Sequence, residues 1–202
     1  MISSQIKNIA LIVAAGRGSR LEGNTPKQYR VIAGYAVLKW SVLSFLSHTK
    51  IDMVQVVYNP EDINLYDAAL NDLELPSPIV GGDNRQTSVR LGLESISQFE
   101  PTNVLIHDGA RPIVSKSLID RILFSLDENI TAIPVIPIND TVIRINKQKI
   151  TQNIERENLW QVQTPQGFDF KTILEAHRNK IDDSYTDDSS LADSAGIPID
   201  IV

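Results

Sequence analysis

The chain has 202 residues, of which 42% are hydrophobic and 22% charged, a mixture that supports a packed core and excludes intrinsic disorder. Its 19 Lys and Arg against 25 Asp and Glu leave a net charge of −6, which argues against sequence-independent binding of nucleic acid. With no cysteine, disulfides, thiolate metal sites and thiol nucleophiles are excluded, and no apolar run approaches the length of a membrane span.

Residues 1–7 do not show the basic-then-apolar order of a signal peptide, so a cytoplasmic protein is expected. Asn8–Ala14 is a continuous apolar run that ends just before Gly16, the pattern of a strand buried on both faces. Val37, Leu38, Val42, Phe45 and Leu46 follow a helical spacing and predict a helix over 35–47. Met53–Tyr58 reads as a second strand, stopped by Asn59-Pro60. A helix over 62–73 and a short strand over 77–80 follow, the strand running into Gly81-Gly82. Val89, Leu93 and Ile96 predict a helix over 84–99, and 103–106 a third buried strand that ends at His107-Asp108-Gly109. Ser115 stands where it caps a helix through Leu126, and 132–138 reads as a further strand. This alternation predicts an α/β fold with a doubly wound, mostly parallel sheet.

From Thr141 the rhythm changes. Residues 141–145 and 149–151 alternate apolar and polar and predict an antiparallel hairpin, so 141–168 reads as an arm inserted into a single domain of residues 1–202. Short helices are expected over 172–178 and 186–195, and a last strand over 197–202. That strand stops without a closing loop, so the C-terminal end of the domain reads as missing.

Four sets of residues carry chemistry. In the first, the strand Asn8–Ala14 opens into Ala15-Gly16-Arg17-Gly18, small residues that let backbone N–H groups approach a polyphosphate. Arg20 and Lys27 add mobile positive charge beside it. The spacing fits neither a P-loop nor a dinucleotide fingerprint. In the second, Gly81-Gly82-Asp83-Asn84 reads as a turn into a helix, its glycines permitting positive φ and Asp83, Asn84 and Ser88 able to satisfy amide groups. In the third, Asp108 and Arg111 lie at a strand's C-terminal end, where open α/β sheets bind ligands. Two readings stand there, a carboxylate for Mg²⁺ and a turn aspartate paired with Arg111. His107 reads as structural, held by backbone, and His48 and His177 show no partner spacing. In the fourth, Asp140, Thr141, Arg156 and Thr164 fall within the arm, with Arg156 in an acidic neighbourhood.

Ala14-Ala15-Gly-x-Gly-x-Arg20 with Pro26-Lys27-Gln28-Tyr29 resembles nucleotidyltransferases of the glycosyltransferase-A-like type. More narrowly, the chain resembles the 2-C-methyl-D-erythritol 4-phosphate cytidylyltransferase family of the non-mevalonate isoprenoid pathway. The likeness continues through Gly81–Val89, His107–Pro112, Asn139-Asp140-Thr141, Leu159-Trp160, Gln163-Thr164-Pro165-Gln166 and Thr186-Asp187-Asp188. It implies CTP as substrate, with Ala14, Ala15, Gly16 and Gly18 at the triphosphate and Gly82, Asp83, Arg85 and Ser88 around the base. It implies transition-state stabilisation by Arg20 and Lys27, and a divalent cation such as Mg²⁺ at Asp108. Gly109, Arg111, Asp140, Thr141, Arg156, Thr164 and Thr186 would frame the sugar phosphate, with Arg156 also catalytic and reaching across a homodimer through the arm. A sister enzyme acting on ribitol 5-phosphate and a nucleotide-binding regulator share much of this pattern. Members of the family continue into an Asn-x-Lys segment, which this sequence does not reach by Val202. The chain is therefore expected to be one part of a longer polypeptide, such as a fusion to a cyclodiphosphate synthase.

Overall fold

A computed structural model describes residues 6–17, 25–180 and 185–202. Strand β1 (Asn8–Ala14) is the apolar run, and it sits in the middle of the sheet. Alternate side chains serve opposite faces. Ala10, Ile12 and Ala14 pack on one side, Ile9 and Leu11 on the other, all buried. Burying an isoleucine or leucine contributes roughly 1.5–3 kcal/mol, so this one strand anchors both layers.

The chain next forms a small hairpin, β2 (Val31–Ile32) and β3 (Tyr35–Ala36), before helix α1 (Val37–Leu46). Ala33 and Gly34, both at positive φ, make its two-residue turn, so the helix expected from residue 35 starts at Val37. Strand β4 (Met53–Tyr58), helix α2 (Ile63–Leu70), strand β5 (Ile79–Val80) and helix α3 (Arg85–Ile96) follow. Strand β6 (Asn103–Asp108) then returns to the other side of β1, and helix α4 (Lys116–Leu126) covers it. Ser115 caps α4 as expected, its Oγ accepting the Leu118 N–H at 3.2 Å.

The main sheet has the order β5-β4-β1-β6-β12-β7, where β7 is Thr131–Ala132 and β12 is Gln166–Asp169. Strands β5, β4, β1 and β6 are parallel, whereas β12 runs antiparallel to both neighbours. Helices α1, α2 and α4 pack on one face. The other face carries α3, α5 (Phe170–Asn179) and α6 (Asp188–Ser194). The mostly parallel α/β fold is thus as expected.

Three boundaries differ from expectation. The strand expected over 132–138 is broken at Pro134, which has no N–H to give. Beyond it, β8 (Val135–Pro137) leaves the main sheet and pairs with β11 (Trp160–Val162). The arm expected over 141–168 is in fact the ribbon β9 (Val142–Asn146) and β10 (Lys149–Ile154), standing on the β8–β11 pair. Residues 166–168 belong to β12 in the core, where Gln166 and Phe168 are buried. The strand expected over 197–202 reduces to one bridge, Ile201 to Ile133, closed by Ile133 N to Asp200 O at 2.8 Å and Val202 N to Ile133 O at 3.0 Å.

Candidate active site

The chain runs from β1 to β4 on one side and later to β6 on the other, so β1 and β6 flank a topological switch point, where such sheets bind ligands. A cleft of about 1010 Å³ opens there. Stretches distant in sequence meet on its walls: 13–17 with 27–28, 59–61, 81–85 with Ser88, Asp108 with 110–111, and 162–164 and Gln166 with 186–187.

The loop after β1 is held from below by Gln28. Its buried amide donates to Ala14 O at 2.7 Å and Gly16 O at 2.9 Å. Asn59 adds a bond to Ala15 O at 3.3 Å. These side chains satisfy the carbonyls of Ala14, Ala15 and Gly16. Among the described residues a Cβ added at Gly16 would meet nothing within 4 Å, so those residues leave the backbone there open to a ligand. Lys27 follows on a single 3₁₀ turn over Lys27–Tyr29, exposed on the cleft wall. Arg17, also on the cleft wall, pairs with Glu61 and, at 3.7 Å, with Asp62. Gly18 and Arg20 lie outside the described residues.

At the second wall, Asn84 caps α3 by accepting the Thr87 N–H at 2.8 Å, and Ser88 Oγ accepts the Gly82 N–H at 3.1 Å. Neither Gly81 nor Gly82 has positive φ, contrary to expectation. Close approach is the reason for both. A Cβ on Gly81 would lie 2.5 Å from the Ala15 Cβ, and one on Gly82 2.3 Å from the Thr87 Cγ2. Gly81 therefore brings the second wall against the loop after β1.

The third wall carries a chain of charges. Asp108 accepts from Arg85 Nε at 3.3 Å and from Arg111 Nε at 3.1 Å, and Arg111 reaches Gln163 Oε1 at 2.7 Å. Of the two readings of Asp108, the pairing with Arg111 is present. Arg85, expected at a base pocket, also donates Nη2 to the buried Asp188 at 2.7 Å. Burial works against the Arg85 charge, but Asp188 and Asp108 outweigh it and make the guanidinium harder to deprotonate. Burial likewise opposes ionisation of Asp188, yet Arg85 and His177 hold its carboxyl well below the usual carboxylate range.

His107 is fully buried under this wall, its Nε2 3.0 Å from Arg111 O and its Nδ1 2.9 Å from Thr164 Oγ1. Donation to the carbonyl leaves Nδ1 to accept from the threonine. Burial pushes its pKa down to about 4, only partly offset by the bond to Arg111. The structural reading of His107 is thus supported, and it also fixes Thr164 at the cleft.

The cleft gathers Ala14, Ala15, Gly16 and Lys27, then Gly82, Asp83, Arg85 and Ser88, then Asp108, Arg111, Thr164 and Thr186. It does not gather Gly109, Asp140, Thr141 or Arg156. Gly109 is a packing glycine behind the wall, where a Cβ would lie 2.9 Å from Leu38 Cδ1 and 3.1 Å from Ala14 Cβ. Asp140, Thr141 and Arg156 are exposed on the arm, Arg156 donating to Asn139 O. Sequence reasoning missed Asp188 and its tie to His177, which are 11 residues apart with Nε2 to Oδ1 at 3.1 Å. The Thr186-Asp187-Asp188 run was a signal, but its partner Arg85 is 103 residues away.

The sequence profile of the 2-C-methyl-D-erythritol 4-phosphate cytidylyltransferase family (IspD) matches residues 8–202. A bifunctional enzyme IspD/IspF of Paramagnetospirillum magneticum is 42% identical over 196 residues, covering 97% of this chain and 51% of that protein. Its counterpart in Rhodospirillum rubrum is 44% identical over 197 residues, again 97% and 51%. The chain spans about half the length of the curated relatives it matches. Among solved structures, 4-diphosphocytidyl-2C-methyl-D-erythritol synthase of Anaerococcus prevotii superposes with a TM-score of 0.82 at 26% identity, covering 97% of this chain and 86% of that one. The bifunctional IspDF of Campylobacter jejuni gives 0.80 at 25% identity, covering 97% of this chain and 49% of that one.

Proposed function

We propose that this chain, which belongs to the 2-C-methyl-D-erythritol 4-phosphate cytidylyltransferase family, transfers CMP from CTP to 2-C-methyl-D-erythritol 4-phosphate in its cleft, releasing pyrophosphate. The observation that carries this reading is the meeting, on one cleft at the switch point, of the open Gly16 loop, Lys27, the Gly82–Ser88 wall and the Asp108–Arg111 wall. The acceptor's phosphate oxygen attacks the α-phosphorus of CTP in line, and the bond from that phosphorus to the bridging oxygen of pyrophosphate breaks. No general base is needed, because a phosphate second pKa of about 6 leaves the nucleophile ionised at neutral pH. Catalysis is then positioning and electrostatic stabilisation. Ala14, Ala15, Gly16 and Gly18 hold the triphosphate, and Lys27 with Arg20 meets the charge that builds on it. Gly82, Asp83 and Ser88 read the base, where the amino group of cytosine asks for an acceptor and the carbonyl of uracil refuses one.

A divalent cation fits as a companion of the nucleotide. Among the described residues no three His, Asp or Glu side chains gather into a closed metal cage. Mg²⁺ needs no such cage, since it takes one or two carboxylates with phosphate oxygens and retained waters. Each Asp108 oxygen accepts one guanidinium N–H and has a second lone pair for the ion. Bound there, the ion supplies neutralisation of phosphate charge.

The acceptor's phosphate is gripped by Arg156, with Asp140, Thr141, Thr164 and Thr186 near its sugar, and Arg156 reaches the cleft of a second copy. Exposed Ile143, Ile145, Ile150 and Trp160 on the ribbons support this, because an uncovered two-stranded edge and apolar side chains favour a covering partner. Among the described residues no helix is long and apolar enough to cross a membrane, and we place the reaction in the cytoplasm, where CTP is supplied.

The test is pyrophosphate release from CTP or UTP with methylerythritol phosphate or ribitol 5-phosphate as acceptor. Release with CTP and methylerythritol phosphate alone is expected. Release with ribitol 5-phosphate would move the chain to a sister activity, and tight CTP binding without release would make it a regulator.

A further inference from the structure

His177 on α5 and Asp188 at the start of α6 do not line the cleft, and both side chains are 1% exposed. Asp188 Oδ1 takes the His177 Nε2–H at 3.1 Å, and Oδ2 takes Arg85 Nη2–H at 2.7 Å. The guanidinium is planar, so fixing Nη2 also fixes where Nε–H points. It points to Asp108 Oδ1, 3.3 Å away on the cleft wall. Two features set this chain of bonds apart from simple packing. A buried ion pair is, for stability alone, often no better than apolar side chains of the same volume. His177 Nδ1, moreover, is buried with no hydrogen-bond partner among the described residues, a cost that a core residue chosen for packing would avoid. Among the described residues, the polar partner of the His177 ring is Asp188.

We infer that Asp188 and His177 are positioning residues that set the Asp108 carboxylate through Arg85, an inference that rests on the cytidylyltransferase reading. The interior of the α5–α6 layer thereby determines how Asp108 meets the bound nucleotide. A lysine at position 85 would not substitute, since a single ammonium cannot hold two carboxylates in one fixed plane.

The test uses the full chain with His177→Leu and His177→Gln, the second keeping an N–H donor near the Nε2 position. His177→Leu is expected to lower kcat about tenfold, as is typical when a group that orients a site residue is lost, with KM for CTP changed less than about twofold. His177→Gln should regain most of that rate. In parallel, the ¹⁵N-labelled Arg85 side chain should give a slowly exchanging Nε–H resonance that weakens in His177→Leu and vanishes in Asp188→Asn. An unchanged kcat with a lowered melting temperature overturns the inference, as does a fall in both kcat and CTP affinity that glutamine does not rescue. Should Asp188→Asn fail to fold, the His177 pair decides alone. Absence of any pyrophosphate release by the parent chain would sink the functional reading instead. The Arg85 resonance needs no turnover and would then judge the positioning by itself, its retention in His177→Leu overturning it.

Discussion

At the cleft, Arg17, Arg85, Asp108 and Arg111 are tied to one another or to Glu61, Gln163 and the buried Asp188, and the loop carbonyls of Ala14 and Gly16 are held by Gln28. In the arm, β9 and β10 pair only as a two-stranded ribbon, with Ile145 59% and Ile150 64% exposed. One region is finished by a single chain, while the other carries apolar surface and strand edges that a single chain does not cover. The contrast supports the proposed division of the site, in which the nucleotide side is built within one copy and the acceptor side is completed by a second.

The largest expected effect lies on the built side. Lys27→Ala should lower kcat by ~10²–10³, the usual result of removing one transition-state contact, while the dissociation constant for CTP moves only a few-fold. A turnover within a few-fold of the parent would remove Lys27 from the chemistry. Arg20→Ala is expected to behave alike.

Acid probes the same region through His107. Its folded pKa of about 4 lies below the ordinary 6.5, so the unfolded chain takes up a proton that the folded chain refuses. Stability from this group is complete above about pH 6.5 and is lost as pH falls toward about 4, by about 3 kcal/mol in all. Denaturation followed between those pH values should show the decline, and His107→Gln should flatten it. The arm has no histidine over 141–168, so no such proton uptake arises there. An equally steep profile in His107→Gln would assign the acid sensitivity elsewhere.

On the open side, Arg156→Ala should raise KM for the sugar phosphate by roughly 10- to 100-fold, the worth of a charge-assisted contact, and leave CTP binding alone. A change in CTP affinity instead would place Arg156 on the nucleotide side and erase the contrast. Smallest of the set, Ile145→Asn should weaken dimerisation about tenfold in sedimentation, given the apolar area it removes from the proposed contact. An unaltered association constant would show that the exposed ribbon is not what joins two copies.

How much of this could be read in the sequence follows from distance along the chain. β1 and the capped starts of α3 and α4 announce themselves locally, through an apolar run and through Asn84 and Ser115. β12 does not, because Gln166-Gly167-Phe168-Asp169 has little apolar pattern and gains its place by antiparallel pairing with β6, some sixty residues earlier in the chain. The sequence pattern therefore extends the arm past its observed C-terminal end. Gly81 and Gly82 read as turn glycines in the sequence, whereas what requires them is close contact with Ala15 and Thr87, which only the fold supplies. Asp188 was visible as a residue but not as a partner, its ion pair with Arg85 being a tertiary fact.

The division of the site between two copies is tested most directly by a purified heterodimer. One chain carries Arg156→Ala and the other Lys27→Ala, each with its own affinity tag, and the two are expressed together and isolated by both tags. If Arg156 acts across the dimer, one of the two sites has an intact Lys27 and an intact Arg156, so the heterodimer should show about half the parental turnover, as two-fold symmetry requires. A heterodimer no more active than either variant alone would contradict the account, because it would mean that Lys27 and Arg156 serve the same copy.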